Sequence, residues 1–252
     1  MKTFTKVTLV ITTIMATIGI TCILIACMMG FTWGNFRDMV MDGRFTFHFG
    51  KHFNWEFVGV PSDVKSKEIT EDVDKLEVEY GAGELEICYG DVEYILVEQQ
   101  GVVAFDVEVE DGVLSVEGGL GFTTGNQAML KITIPSGMEF EQVDLEIGAS
   151  SAEIKNLKTD VLKIEVGAGT ATLTGLDVKE LESETGVGEL TIEMVGKKSD
   201  YSYSVDCGIG SVKIGDDSYE GIGTSKNVEN SGADRYMDIE CGVGEVEIHF
   251  EK

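Results

Sequence analysis

The sequence predicts an all-β chain: a single-stranded parallel β-solenoid (β-helix) behind an N-terminal transmembrane helix. Three observations carry the solenoid. A short cassette recurs at a fixed interval: residues 162–176 read LKIEVGAGTATLTGL, residues 181–195 read LESETGVGELTIEMV, and their corner glycines Gly167 and Gly186 stand 19 positions apart. LEIGASSAEIKNL places Gly148 another 19 positions upstream, and the pattern returns at Gly81, Gly208 and Gly242. A fixed short period is the mark of stacked coils. Around the corners apolar and polar residues alternate, as Leu76, Val78 and Tyr80 do against Glu77 and Glu79, which marks strands with one buried face. No helical crossover of the kind a doubly wound sheet needs lies between the strands.

In chain order, residues 1–6 read as a cytoplasmic tail and 7–33 as a transmembrane helix. The run from Val7 to Phe36 carries no charge over 30 positions, and a spanning helix needs about 20 apolar residues. Lys2 and Lys6 ahead of it keep the amino end inside. The expected location is therefore the cell membrane, single-pass, with the C-terminal domain extracytoplasmic. Outside, 17 basic residues face 45 acidic ones, a net charge of −28. An alternative is open: Leu24-Ile25-Ala26-Cys27 resembles a lipobox, in which Cys27 would be lipidated. Either form tethers the chain to the outer face of a membrane.

Residues 34–71 form a juxtamembrane linker, and Phe31, Trp33 and Phe36 at its junction with the helix suit the headgroup level. The solenoid domain spans 72–252. The corner glycines are expected to reach positive φ and to let stacked backbones approach closely. Residues 91–142 break the period, with a hairpin signal at Asp111-Gly112 and a further strand at 129–135. They are expected as irregular coils between the Gly81 and Gly148 cassettes. Residues 215–235, polar and glycine-rich, are expected as a surface loop. Glu245–Phe250 is expected to present an open sheet edge.

With a membrane helix, a strand-rich insert and repeated LEIGAGxxxIxxL-like cassettes, the chain resembles the bacterial "putative-adhesin" domains of unknown function. The likeness covers roughly residues 72–250 and rests on repeat style. It implies a right-handed solenoid, a Gram-positive source and an envelope protein of the kind encoded beside envelope-stress regulators. It carries over no binding residues.

Motifs for enzyme chemistry are absent: there is no H-E-x-x-H, P-loop, G-x-S-x-G or paired C-x-x-C. His48, His52 and His249 lack partners at metal-ligand spacing. Aligned on their first corner glycine, however, the six cassettes carry an acid two positions earlier every time: Glu79, Glu146, Glu165, Glu184, Asp206 and Glu240. Stacked about 4.8 Å apart, such carboxylates repel by about 0.9 kcal/mol per neighbouring pair even in water. The column is thus a candidate strip for weakly held Ca²⁺ or Mg²⁺, or merely the polar outer face of an acidic protein. No other cofactor is expected. One position later, Cys207 and Cys241 share a column and are a candidate disulfide; Cys88 is expected unpaired.

Nucleic acid is excluded as a partner, because a surface at −28 repels phosphate. Envelope proteins, cations and neutral glycans remain. The function expected is a non-enzymatic, membrane-anchored envelope protein that presents its solenoid for adhesion or for protein and cation interaction. The alternatives are an accessory or sensor protein of an envelope-stress system, and a glycan-active β-helix enzyme. The oligomeric state is not legible from the sequence.

Overall fold

A computed structural model describes residues 64–119 and 128–250, together with the strands Phe45–Phe49 and Phe53–Phe57, which pair with each other. The described chain is all-β; its one helical element is a single 3-10 turn, Lys198–Asp200. Among the described residues no helix is long and apolar enough to cross a membrane. The segment expected to do so, 7–33, lies outside them, as do Cys22, Cys27 and His52.

Alternation does what the sequence implies. Five of the six cassettes give one strand before the corner and one after it, the sixth runs through its Gly208 corner as the single strand Tyr201–Ile214, and cassettes stack in parallel. Lys75–Tyr80 pairs with Phe140–Ile147, which pairs with Lys158–Val166, which pairs with residues 180–185. After the corner, Glu84–Gly90 pairs with Ser151–Lys155, then residues 170–174, then Glu189–Met194. Pairing continues through the corners themselves: the Val187 N–H donates to the Gly167 carbonyl at 2.7 Å. The inward positions Val78, Leu145, Ile164, Val205 and Ile239 are all buried in one continuous core.

The glycines are required mainly for close approach. Among the cassette glycines only Gly83 has a positive φ, 132°. At Gly148 a Cβ would stand 2.5 Å from the Gly81 carbonyl oxygen, and at Gly244 it would collide with the Gly188 carbonyl oxygen. These are backbone atoms one rung away, which cannot yield as a flexible side chain can.

Four expectations are corrected by the pairing. The stack is not purely parallel, because antiparallel strands close both ends. At one end Val103–Glu110 folds back on Val113–Gly119 through Asp111-Gly112, both at positive φ, and Ile95–Gln100 lies between Met129–Pro135 and Lys65–Ile69. Next, residues 91–142 do not separate the Gly81 and Gly148 rungs. Their coil, Val113–Gly119 with Met129–Pro135, stacks on the far side of the Gly81 rung, which leaves Gly81 directly against Gly148.

The last two rungs, third, are stacked in reverse. Arg235–Cys241 and Glu245–Phe250 insert between residues 180–194 and Tyr201–Ile214. Arg235 pins this order: it pairs with Asp177 at 2.8 Å and donates to the Tyr201 hydroxyl at 2.9 Å, one partner on each side. Glu245–Phe250 is therefore an interior strand and no open edge. Finally, the expected loop at 215–235 contains a strand, Asp217–Val228, antiparallel to Tyr201–Ile214. It lies at the end of the stack, where only Tyr219 and Val228 pack against the core and most of its residues are exposed, so it shows no alternation.

Candidate functional site

The six acids selected by the cassette alignment form one unbroken row. Glu79 lies beside Glu146, Glu146 beside Glu165, Glu165 beside Glu184, Glu184 beside Glu240, and Glu240 beside Asp206. Glu117 extends the row beyond Glu79. The cassette alignment does not include it, although the signal is present: Gly119-Leu120-Gly121 is a further Gly-x-Gly with an acid two positions earlier.

No basic residue occupies this row. In the next outward row, Lys163 pairs with Glu182 at 2.7 Å and is flanked by Asp144 and Glu77 on one side and Asp238 on the other. The two rows enclose an open groove of about 340 Å³ lined by Glu146, Glu165, Glu184 and Glu240 among others. Partial burial, then the charges of Glu184 and Glu146 on either side, push the Glu165 carboxyl above its ordinary value.

Whether these residues suit a metal follows from their arrangement. They stand one to a rung in a line, and among the described residues no three His, Cys, Asp or Glu side chains converge on a common point. Calcium wants six to eight oxygens around one centre. The row suits cations drawn loosely along it, or a basic surface laid across it, better than a coordination cage.

Cys207 and Cys241 are direct register partners with buried, inward-facing side chains; both are free thiols. Burial, and the neighbouring Cys207, hold the Cys241 thiol above its usual value. Cys88 is also free and half-buried. His249 lies 3.3 Å from Glu247 on the strand after the corner, and His48 falls in the strand Phe45–Phe49.

Residues 123–215 match the family model described as the N-terminal domain of toast_rack, DUF2154. The DUF2154 stretch spans the Gly148, Gly167, Gly186 and Gly208 cassettes, and so includes Glu146, Glu165, Glu184 and Asp206 of the acidic row. A putative cell adhesion protein from Clostridium sporogenes has a similar fold, with TM-score 0.56 at 16% identity over 75% of this chain and 99% of that one. Weaker likenesses include a putative adhesin from Bacteroides fragilis (TM-score 0.34, 15% identity, 75% and 98% covered). Another is a putative lipid binding protein from Parabacteroides distasonis (TM-score 0.32, 15% identity, 75% and 98% covered). No curated protein matches the chain. The DUF2154 match and the shared fold support the resemblance to the putative-adhesin domains.

Proposed function

We propose that the chain is a non-enzymatic envelope protein, a right-handed β-solenoid held outside the cell membrane by residues 7–33, which presents its acidic face for adhesion or for protein and cation interaction. The observation that carries this is the row from Glu117 to Asp206, in which one carboxylate per rung stands in register. Strand alternation demands that the position be polar; it does not demand that it be acidic at every rung. Burial around Glu165 makes the like-charge cost real, and a cationic partner would relieve it. The description of the Clostridium sporogenes protein as a cell adhesion protein agrees with this reading.

The test is binding of the full chain to immobilised polylysine, with Glu146→Gln/Glu165→Gln/Glu184→Gln as the variant. Binding at least tenfold weaker in the variant at low salt is expected. Equal binding by both proteins would remove the acidic face from the function.

A further inference from the structure

A second feature runs along the stack, at the residue that follows the first corner glycine. Because pairing passes through the corners, these residues also stand in register: Ala149 N–H donates to Gly81, Ala168 to Gly148, Val187 to Gly167, Val243 to Gly186 and Ile209 to Gly242. The row ends on Ile222, the register partner of Ile209 in the capping strand. In stack order it reads Ala82, Ala149, Ala168, Val187, Val243, Ile209, Ile222, from small to large.

The large members point into solvent. Val187 is 65% exposed, Val243 53%, Ile209 60% and Ile222 86%. Alanine serves the same corner at three rungs, so the fold does not require the bulk. The capping strand repeats the device in Gly221-Ile222-Gly223, where no cassette corner needs it. Four aliphatic side chains on successive strands make a ridge about 14 Å long, the length covered by an apolar stripe of two to three helical turns.

The flanks of the ridge decide what fits it. Three positions before Val187, Val243 and Ile209, within about 10 Å along the chain, stand Glu184, Glu240 and Asp206. Two positions after Val187 and Val243 stand Glu189 and Glu245, themselves register partners and exposed. Among the described residues neither flanking row contains a Lys, Arg or His. An anionic membrane or an acidic protein is repelled from both sides, and a purely hydrophilic polycation leaves the ridge uncovered.

We infer that the Val187–Val243–Ile209–Ile222 ridge and its acidic flanks dock a cationic amphipathic segment of a protein partner, its aliphatic stripe on the ridge and its Lys or Arg residues on the carboxylates. This rests on the acidic-face reading above and specifies the partner's chemistry.

The experiment uses the full chain in neutral-lipid nanodiscs, with empty nanodiscs as the blank. Two fluorescein-labelled 14-residue peptides of identical Leu and Lys content serve as probes: one patterned as an amphipathic helix, the other permuted to have no apolar face. Anisotropy is expected to show the amphipathic peptide binding at least tenfold more tightly than the permuted one. Val187→Ser/Val243→Ser/Ile209→Ser should abolish that preference while retaining weak binding of both. Ile222→Ser, outside the cassette rungs, should reduce it in part at unchanged melting temperature. A preference that survives the serine variant overturns the ridge and leaves the acidic-face reading intact. Failure of the chain to bind either peptide overturns both. If the chain sediments as an oligomer that the serine variant dissociates, a second copy covers the ridge and the proposal falls.

Discussion

The strands before the corner and the strands after it are built from the same alternation, on the same rungs, around the same core, yet their outer faces differ. Before the corner, acids stand in register from Glu117 to Asp206 with no basic residue in the row. After it, the corner-adjacent row Glu84, Ser151, Thr170, Glu189, Glu245 and Ser211 is acidic at only three of six rungs, and the next outward row runs Lys131, Glu86, Glu153, Thr172, Thr191, Glu247 and Lys213, with acids separated by threonines and answered by lysines. Lys131 pairs with Glu86 at 3.3 Å, and Lys213 with Glu247 at 3.2 Å. The second face shows how this fold composes an outer surface under no further constraint. The first face departs from that, and the departure is what the proposed interaction face rests on.

The strongest way to break the comparison is to destroy the register both faces share. Gly244→Ala drives a Cβ into the Gly188 carbonyl oxygen. It should cost about 3 kcal/mol, lowering the melting temperature by roughly 6–12 °C in a domain of this size.

Next in size is charge removal. Glu146→Gln/Glu165→Gln/Glu184→Gln should stabilise the chain by roughly 1 kcal/mol at low ionic strength, the gain shrinking as salt screens the repulsion. Glu86→Gln and Glu247→Gln on the other face should give no gain, because each removes an ion pair. Equal responses from the two faces in urea titrations would erase the distinction.

Acidification should separate the faces by sign. The raised Glu165 value means its ionised form is disfavoured in the folded chain. Stability on that face should therefore rise as the pH falls through the region just above the ordinary carboxylate range. Glu247 is held below its ordinary value, first by its bond from Lys213. Its contribution is complete above the unfolded value and is lost as pH falls through the lower folded one. Denaturation midpoints between pH 7 and 3 should lose the first change in Glu165→Gln and the second in Glu247→Gln.

The smallest effect is that of calcium. Millimolar Ca²⁺ should raise the melting temperature by about 1–2 °C through weak accumulation on the acidic row, and should do nothing to the triple glutamine variant. An identical melting curve in chelator ends the cation reading.

Much of this is legible in the sequence because period-2 alternation and a fixed repeat translate directly into face and register. They alone place Glu165 and Glu184 side by side, and Ile164 and Ile239 in the core. Rung order is not legible, because a repeat states what stacks and not in which sequence. The Arg235 contacts to Asp177 and Tyr201 that reverse the last two rungs join residues 58 and 34 positions apart. Asp217–Val228 reads as a loop because a strand at the end of a stack buries too little, only Tyr219 and Val228 packing on the core, to impose alternation. Glu117 is easily missed because its Gly119-Leu120-Gly121 follows the Asp111-Gly112 hairpin signal inside the stretch that interrupts the repeat.

The reversed rungs also constrain how the chain is made. Among the described residues Tyr201–Ile214 pairs only with Asp217–Val228, Arg235–Cys241 and Glu245–Phe250, two of which lie nearer the carboxyl end than the hairpin itself. The ribosome delivers the chain from its amino end, so the hairpin waits as a tethered flap while residues 180–194 hold an unpartnered sheet edge. Assembly closes only when the final strands slide between them, like a keystone set after its arch. Loss of the last twenty residues would therefore open the stack from within rather than shorten it.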